Sequence, residues 1–372
     1  MNKLEKIKEL IKSPVSDGVS MQIEELRKNQ VIIYGAGSYG KEFYFFLKEN
    51  GIKAECFLDR NAEQIKEIDG VKVFSLDNYK GPIDGVKVFI AIVCDKNVRK
   101  SIINSIHAAG FGNVTEAQSI SCRKVSFSYN YNCKNAFERI EKAYNLLSDD
   151  KSREIFLENI YAHLSRDYSD VGKYEENMQG QYFPKDIRFS KGYSAFVDCG
   201  GFIGDTVEML MKLTTPDRIV SFEPMIENYC RLVDTCSRYS HTKTEFTLLN
   251  NAISDKVKSV SFSSGTGSGS VSENGDRNIT AVSLDTALCG FKPTFIKMDI
   301  EGEEINALNG ARNMIASAKP DMAICVYHNI EHIWEIPLLI SSFADGYSFY
   351  LRNYNPYTME TVLYAFEEVR NK

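Results

Sequence analysis

The chain has 372 residues, 43% of them hydrophobic and 25% charged, with a formal net charge of −6. That length predicts two domains and a connector, and the composition is that of a soluble globular protein. The acidic balance, without a basic arm anywhere, excludes nucleic acid as the main partner, and no apolar run approaches the roughly 18 residues that cross a bilayer.

Residues 1–30 read as N-terminal helices, broken at Ser13-Pro14. Their opening stretch, "MNKLEKIKELIKSP", is amphipathic and lacks the apolar centre of a signal peptide. The nine cysteines are scattered with no C-x-x-C spacing. That argues against a zinc site and fits a reducing, cytoplasmic setting.

Residues 31–125 alternate strand and helix. "VIIYG" is a strand, and a helix runs through "SYGKEFYFFLKENG" to a stop at Gly51. "KAECFLDRN" is a second strand ending at Asp59, "VKVF" and "KVFIAIV" are further strands, and "KNVRKSIINSIHAAGF" is a helix. The alternation predicts a small parallel, Rossmann-like sheet. Between its first strand and helix, "GAGSYG" sets Gly35, Gly37 and Gly40 in a G-x-G-x-x-G pattern. No acid lies among these glycines and Lys41 follows, so the loop suits a phosphate. Asp59 stands where a ribose-binding acid would sit. Residues 126–190 carry Phe, Ile, Leu and Tyr at helical spacing and read as a helical connector.

Residues 191–372 restart the alternation. Strands are expected at "SAFVDCG", "DRIVSFEP", "TEFTLLNNA", "KSVSFSS", "PTFIKMDI", "DMAICVYH", "YSFYLRNY" and "TVLYAFE". Only the short turn Asn355 to Glu360 separates the last two, which forbids a helical crossover, so they should pair antiparallel. "SSGTGSGSVSENGDR" reads as a flexible rim loop.

A second glycine loop, "FVDCGGFIGDTVEML", differs from the first in its acids. Asp198 ends the strand, Gly200, Gly201 and Gly204 follow, and Asp205 and Thr206 open the helix. A pyrophosphate would normally sit at such a helix start. Facing Asp205 at about 4 Å it would meet a repulsion of about 4 kcal/mol per charge pair at an effective dielectric near 20. The helix dipole returns only about 0.3–2 kcal/mol. A cationic ligand is favoured, and S-adenosylmethionine carries a sulfonium, an ammonium and an adenosine without phosphate. Glu223, ending the next strand in "SFEP" before Pro224, suits the two ribose hydroxyls. Asn250 or Asn251 in "LLNNAIS" suits the adenine edge. The competing reading makes Asp205 a helix cap and Glu223 a surface residue.

These stretches resemble the FkbM family of S-adenosylmethionine-dependent methyltransferases. The resemblance runs over roughly Tyr182 to Phe366, through "QYF", "FVDCGGFIGDT", "FEP", "NNAISD", "VSLD", "FIKMDIEGEEINALNGA", "PDMAICVYH", "WEIPLLI", "LRNY" and "ETVLYA". It implies a seven-stranded, doubly wound class I methyltransferase sheet with a reversed last strand, preceded by the small Rossmann-like domain and the helical connector. It also implies O-methylation of a hydroxyl on a sugar or a secondary metabolite. "LRNY" has Asn353 where many relatives carry histidine. The first glycine unit more weakly resembles the Rossmann-like heads of bacterial sugar N-acyltransferases, which implies a nucleotide-sugar ligand.

Methyl transfer to oxygen needs alignment of the two reactants and removal of a proton. "FIKMDIEGEE" offers Asp299, Glu301 and Glu303, and strand alternation puts Lys297 on the face of Asp299, where it can pair with it. The three carboxylates suit either a divalent cation or a solvated acidic turn opening a helix; the turn is preferred and no metal is assigned. His328 ends the neighbouring strand and suits a base, while His332 reads as surface. Trp334, Arg352 and Tyr354 follow the family pattern and are read as an acceptor pocket, against ordinary core for Trp334.

The sequence is thus read as an O-methyltransferase acting on a small-molecule or glycan acceptor, nucleotide-linked or not, in surface-polysaccharide biosynthesis. Its catalytic candidates are Asp299, His328, Lys297 and Glu301. An NAD-dependent sugar oxidoreductase and a non-catalytic sugar-nucleotide binding protein are the alternatives, and a homo-oligomer stays open.

Overall fold

The computed structural model describes residues 2–12, 23–92, 94, 96–117, 135–165, 170–263, 270–271, 277–355, 358 and 360–368. The break expected at Ser13-Pro14, Cys122 and most of the 263–277 loop lie outside these. The chain divides into two compact units. One comprises Met1–Ser126 with Tyr161–Asn177, the other Phe127–Ile160 with Met178–Lys372. Part of the expected connector therefore belongs to the C-terminal unit.

The N-terminal unit is built on six strands: β1 (Gln30–Tyr34), β2 (Ala54–Leu58), β3 (Glu67–Ile68), β4 (Val71–Phe74), β5 (Val86–Ile90) and β6 (Asn113–Glu116). Their order is β3-β4-β2-β1-β5-β6. All neighbours are parallel except β3 with β4. Successive residues of β1 bury on opposite faces, Val31 and Ile33 with Phe43 and Phe89, and Ile32 with Val88 and Ile106. A strand covered on both faces reads as an unbroken apolar run, which is how "VII" looks.

The C-terminal unit holds a seven-stranded sheet. Its strands are β7 (Ala195–Cys199), β8 (Arg218–Phe222), β9 (Glu245–Leu249), β14 (Phe295–Met298), β15 (Asp321–Cys325), β16 (Tyr347–Asn353) and β17 (Thr361–Glu367). The order is β16-β17-β15-β14-β7-β8-β9. β17 runs antiparallel to both β15 and β16, and every other pair is parallel. The strand order reverses outward from the β7–β14 pair, which makes the C-terminal ends of those strands the ligand edge. Four further strands form a small separate sheet ordered β10-β13-β11-β12: β10 (Ala252–Ile253), β11 (Lys258–Ser263), β12 (Ser270–Val271) and β13 (Arg277–Val282).

Aromatic packing fixes one face of the main sheet. Phe196 and Phe295 occupy paired positions of β7 and β14 and stack with centroids 5.4 Å apart. Phe189 stands edge-on to Phe295 at 4.9 Å. Helices Ala136–Leu146 and Asp150–Ser165 precede the sheet in sequence. The first is tied to helix His332–Phe343 by Arg139, whose Nε donates to Glu335 at 2.6 Å.

Candidate active site

The second glycine loop joins β7 to the helix Asp205–Leu213. Gly200 adopts φ +88°, and a Cβ there would run into the carbonyl oxygen of Asp299, so only glycine lets the loop lie against the end of β14. Gly204 caps the helix at φ +85°. Gly201 abuts Ser221, and Thr206 is buried.

Asp198 and Lys297 are register partners on adjacent parallel strands, so their side chains emerge side by side. Lys297 Nζ lies 3.0 Å from Asp198 Oδ1 and donates to the Gly200 carbonyl at 2.5 Å. Ser221 donates to Asp198 Oδ2 at 3.2 Å. Burial pushes the Asp198 carboxyl up, against the pull of Lys297. Burial also works against the Lys297 charge, but Asp198 and then Asp299 overcome it and hold the ammonium above its usual range. The expected pairing of Lys297 with Asp299 is therefore corrected. Cross-strand register puts Asp198 nearer, and the lysine locks the glycine loop.

Glu223 directly follows β8 and is almost wholly buried. It accepts the backbone N–H groups of Phe202 at 2.9 Å and Met225 at 2.8 Å, and burial raises its pKa to about 7. Asn250 Nδ2 donates to the carbonyls of Glu223 at 2.8 Å and Pro224 at 3.0 Å. Asn251 instead donates to Thr280 of β13 at 3.1 Å. Asp205 is exposed, so water screens the repulsion that the sequence assigned to it. The preference against phosphate rests instead on the buried carboxylates Asp198 and Glu223, with Lys297 already paired. The residues present fit S-adenosylmethionine, which carries no phosphate, and Glu223 and the Gly200–Gly204 loop are the ones that could hold it.

Beyond β14 the chain turns sharply, with Glu301 at φ +57° and Gly302 at φ +103°. A non-glycine residue in this region is uncommon and strained, and such residues cluster at functional sites. The turn gathers a polar cluster with the end of β15. Asp299 Oδ2 accepts the Tyr182 hydroxyl at 2.8 Å, and Oδ1 stands 3.5 Å from the Tyr327 hydroxyl. Burial, then the Asp299 charge, pushes both phenols well above their usual pKa, so they stay donors. His328 Nε2 faces Asp299 Oδ1 at 3.4 Å and Glu301 Oε2 at 3.5 Å. Its Nδ1 lies 2.9 Å from Glu304 Oε1, and His332 Nδ1 lies 3.1 Å from Glu304 Oε2. Burial alone would lower the His328 pKa, yet Glu304, Asp299 and Glu301 lift it to about 10. Burial would likewise raise Glu304, but His328 and His332 hold it below the usual carboxylate range.

This changes the reading of His328. Held in its protonated form by these acids, His328 is poorly set to accept a proton, which leaves the neighbouring carboxylates as the candidates for that part. His332, expected on the surface, is buried against Glu304. Tyr182, Tyr327 and Glu304 were not singled out as site residues. Glu304 is the first residue of helix Glu304–Asn309, where an acid at a helix start reads as a solvated cap.

Of the expected acceptor pocket, Trp334, Arg352 and Tyr354 are each about 2% exposed. The expectation that Arg352 grips an acceptor anion meets a guanidinium already occupied. It donates to Asp186 at 2.7 Å, Asp149 at 2.8 Å, Ser152 at 3.1 Å and the Leu351 carbonyl at 2.8 Å. Tyr354 shares a 2.6 Å hydrogen bond with Tyr364 and donates to Gly180 at 3.1 Å. Asn353 fastens the following turn, donating to the Asn355 carbonyl at 2.6 Å and accepting from Thr361 at 3.0 Å.

In the N-terminal unit the first glycine loop also forms. Gly35 takes φ +113°, Gly40 packs against the Gly35 carbonyl, and Gly37 faces open space. Asp59 already accepts the N–H groups of Ala36 and Asn61, both at 2.8 Å.

No helix among the described residues is long and apolar enough to cross a membrane. Among curated proteins none matches the sequence. Residues 198–370 match the methyltransferase FkbM domain. The crystal structure of the methyltransferase FkbM from Methylobacillus flagellatus KT shares the fold at a TM-score of 0.72 and 20% identity, over 98% of this chain and 99% of that one. Magnesium protoporphyrin IX methyltransferase from Synechocystis PCC 6803, with bound S-adenosylmethionine, aligns at a TM-score of 0.30 and 10% identity, over 66% of this chain and 98% of that one. With its glycine loop, its reversed last strand and this domain match, the chain is a methyltransferase that uses S-adenosylmethionine, and its residues 198–370 belong to the FkbM family.

Proposed function

We propose that the enzyme transfers its methyl group to a hydroxyl of a sugar or glycoconjugate, in the building of a surface polysaccharide. The observation that carries this reading is the carboxylate cluster at the end of β14, where Asp299 and Glu301 both face His328. A hydroxyl is a weak nucleophile with a proton to lose, and positioned carboxylates supply orientation and an acceptor for that proton. S-adenosylmethionine supplies an electrophilic methyl group.

In this reading Glu223 and the Gly200–Gly204 loop hold the donor, while the Lys297–Asp198 pair keeps the loop in place. Asp299, steadied by Tyr182, orients the acceptor hydroxyl, and the more exposed Glu301 takes its proton. The protonated His328 keeps two neighbouring carboxylates from repelling each other. The N-terminal loop around Gly37, with no acid in the first turn of its helix, suits the phosphates of a nucleotide-bearing ligand.

The test is incubation with S-adenosylmethionine and a panel of nucleotide sugars and lipid-linked glycans, read by mass spectrometry. A methyl-for-hydrogen mass gain, lost in Asp299→Asn, is expected on a hydroxyl of a sugar. Methylation of nitrogen or carbon acceptors alone would sink the proposal.

A further inference from the structure

Asp299, Glu304 and His328 each bring one donor atom to within 4.8 Å of the other two. Three donors at roughly 2.1 Å from a common centre stand about 3.0–3.6 Å apart, so the side chains draw inward by up to roughly an ångström to close the set. The backbone beside it takes a left-handed conformation at Glu301, φ +57°.

A second observation concerns the buried polar atoms. Glu304 is wholly buried, and the His328 side chain is only 7% exposed. Glu304 Oε1 accepts the N–H of Ile300 at 3.1 Å, and Oε2 faces His332 Nδ1 at 3.1 Å without an aligned hydrogen bond. Neither ring nitrogen of His328 has one, although carboxylate oxygens stand 2.9, 3.4 and 3.5 Å away. Buried polar atoms are almost always hydrogen-bonded, and a local group of exceptions calls for a missing partner. Three carboxylates stand around one imidazole, and a cation bound there would replace the His328 proton in keeping them from repelling one another.

We propose that Asp299, Glu304 and His328 form a site for one divalent cation, with Mn²⁺ the best match. Two carboxylates favour a hard ion and the imidazole favours a borderline one, and Mn²⁺ accepts both. Glu301, 3.5 Å from His328 Nε2, is left outside the core set and keeps its part in proton removal. A cation here would also acidify a hydroxyl bound to it. The inference concerns binding to the donor-free protein, so it stands or falls separately from the choice of acceptor.

The test is titration of the metal-stripped full-length protein with Mn²⁺, followed by loss of the free-ion electron paramagnetic resonance signal. One ion bound per chain at sub-millimolar concentration is expected. Asp299→Asn and His328→Gln should each weaken binding about tenfold or more, with circular dichroism showing that each stays folded. Glu303→Gln, on the neighbouring acid that pairs with Asn306, should bind as the unaltered protein does. Absence of saturable binding, or equal affinity in both folded ligand variants, would overturn the site and leave the cluster as a protonated imidazole among acids.

Discussion

With Glu223 as the proposed holder of the ribose, donor binding is expected to depend on pH. Its folded pKa is raised to about 7 from an ordinary 4.5. A raised carboxyl stabilises the fold as the neutral acid, fully below pH 4.5, and that contribution is lost as pH rises through about 7. Holding ribose hydroxyls asks for the ionised form, so affinity for S-adenosylmethionine should rise over the same range. Calorimetry from pH 5.5 to 8.5 is expected to show this rise in the unaltered protein and a flat profile about tenfold weaker in Glu223→Gln. The Lys297–Asp198 pair offers a second test. Lys297→Met strands a buried carboxylate, and urea unfolding should show a loss of about 3–5 kcal/mol, partly recovered when Asp198→Asn is added. Asp198, Glu223 and Asp299 could be picked out in the sequence because each ends an apolar run. Glu304, Tyr182 and the true partner of Lys297 could not, since each depends on which strand lies beside which.

At the scale of elements, the two glycine loops have different tolerances. Gly200→Ala must adopt a left-handed conformation, at about 1–2 kcal/mol, and must also displace the end of β14. We expect a total loss above about 2 kcal/mol in urea unfolding, with donor binding abolished. Gly37→Ala has an ordinary φ of −76° and nothing within 4 Å of the new carbon, so its stability should change by less than about 1 kcal/mol. The strands of the main sheet were legible because both faces are covered, which leaves unbroken apolar runs such as "MAIC" in β15. β13 was not, because "RNITAV" is largely exposed and shows neither a run nor a clean alternation. The helices read as a connector are joined to the C-terminal sheet by contacts some 200 residues apart in sequence, as Arg352 to Asp149 and Ser152 show. Such pairings leave no local signal.

For the whole molecule, the division into two units makes a prediction about where the donor is felt. At a hundred times its dissociation constant a ligand stabilises the state it binds by about 2.7 kcal/mol. Hydrogen exchange with S-adenosylmethionine present is expected to slow in β7 and β8 and to leave β1 and β2 unchanged. Equal protection of β1 and β2 would count against donor binding at the second glycine loop alone. The reversed β17 has a further consequence. Because it runs against β16, the link from Asn353 to Thr361 falls on the same rim as Asp299 and His328, anchored at its base by Asn353 and Thr361. Tyr354, Asn355 and Thr358 within that link are themselves buried, so rewriting it is expected to lower stability as well as to change what is admitted at the rim.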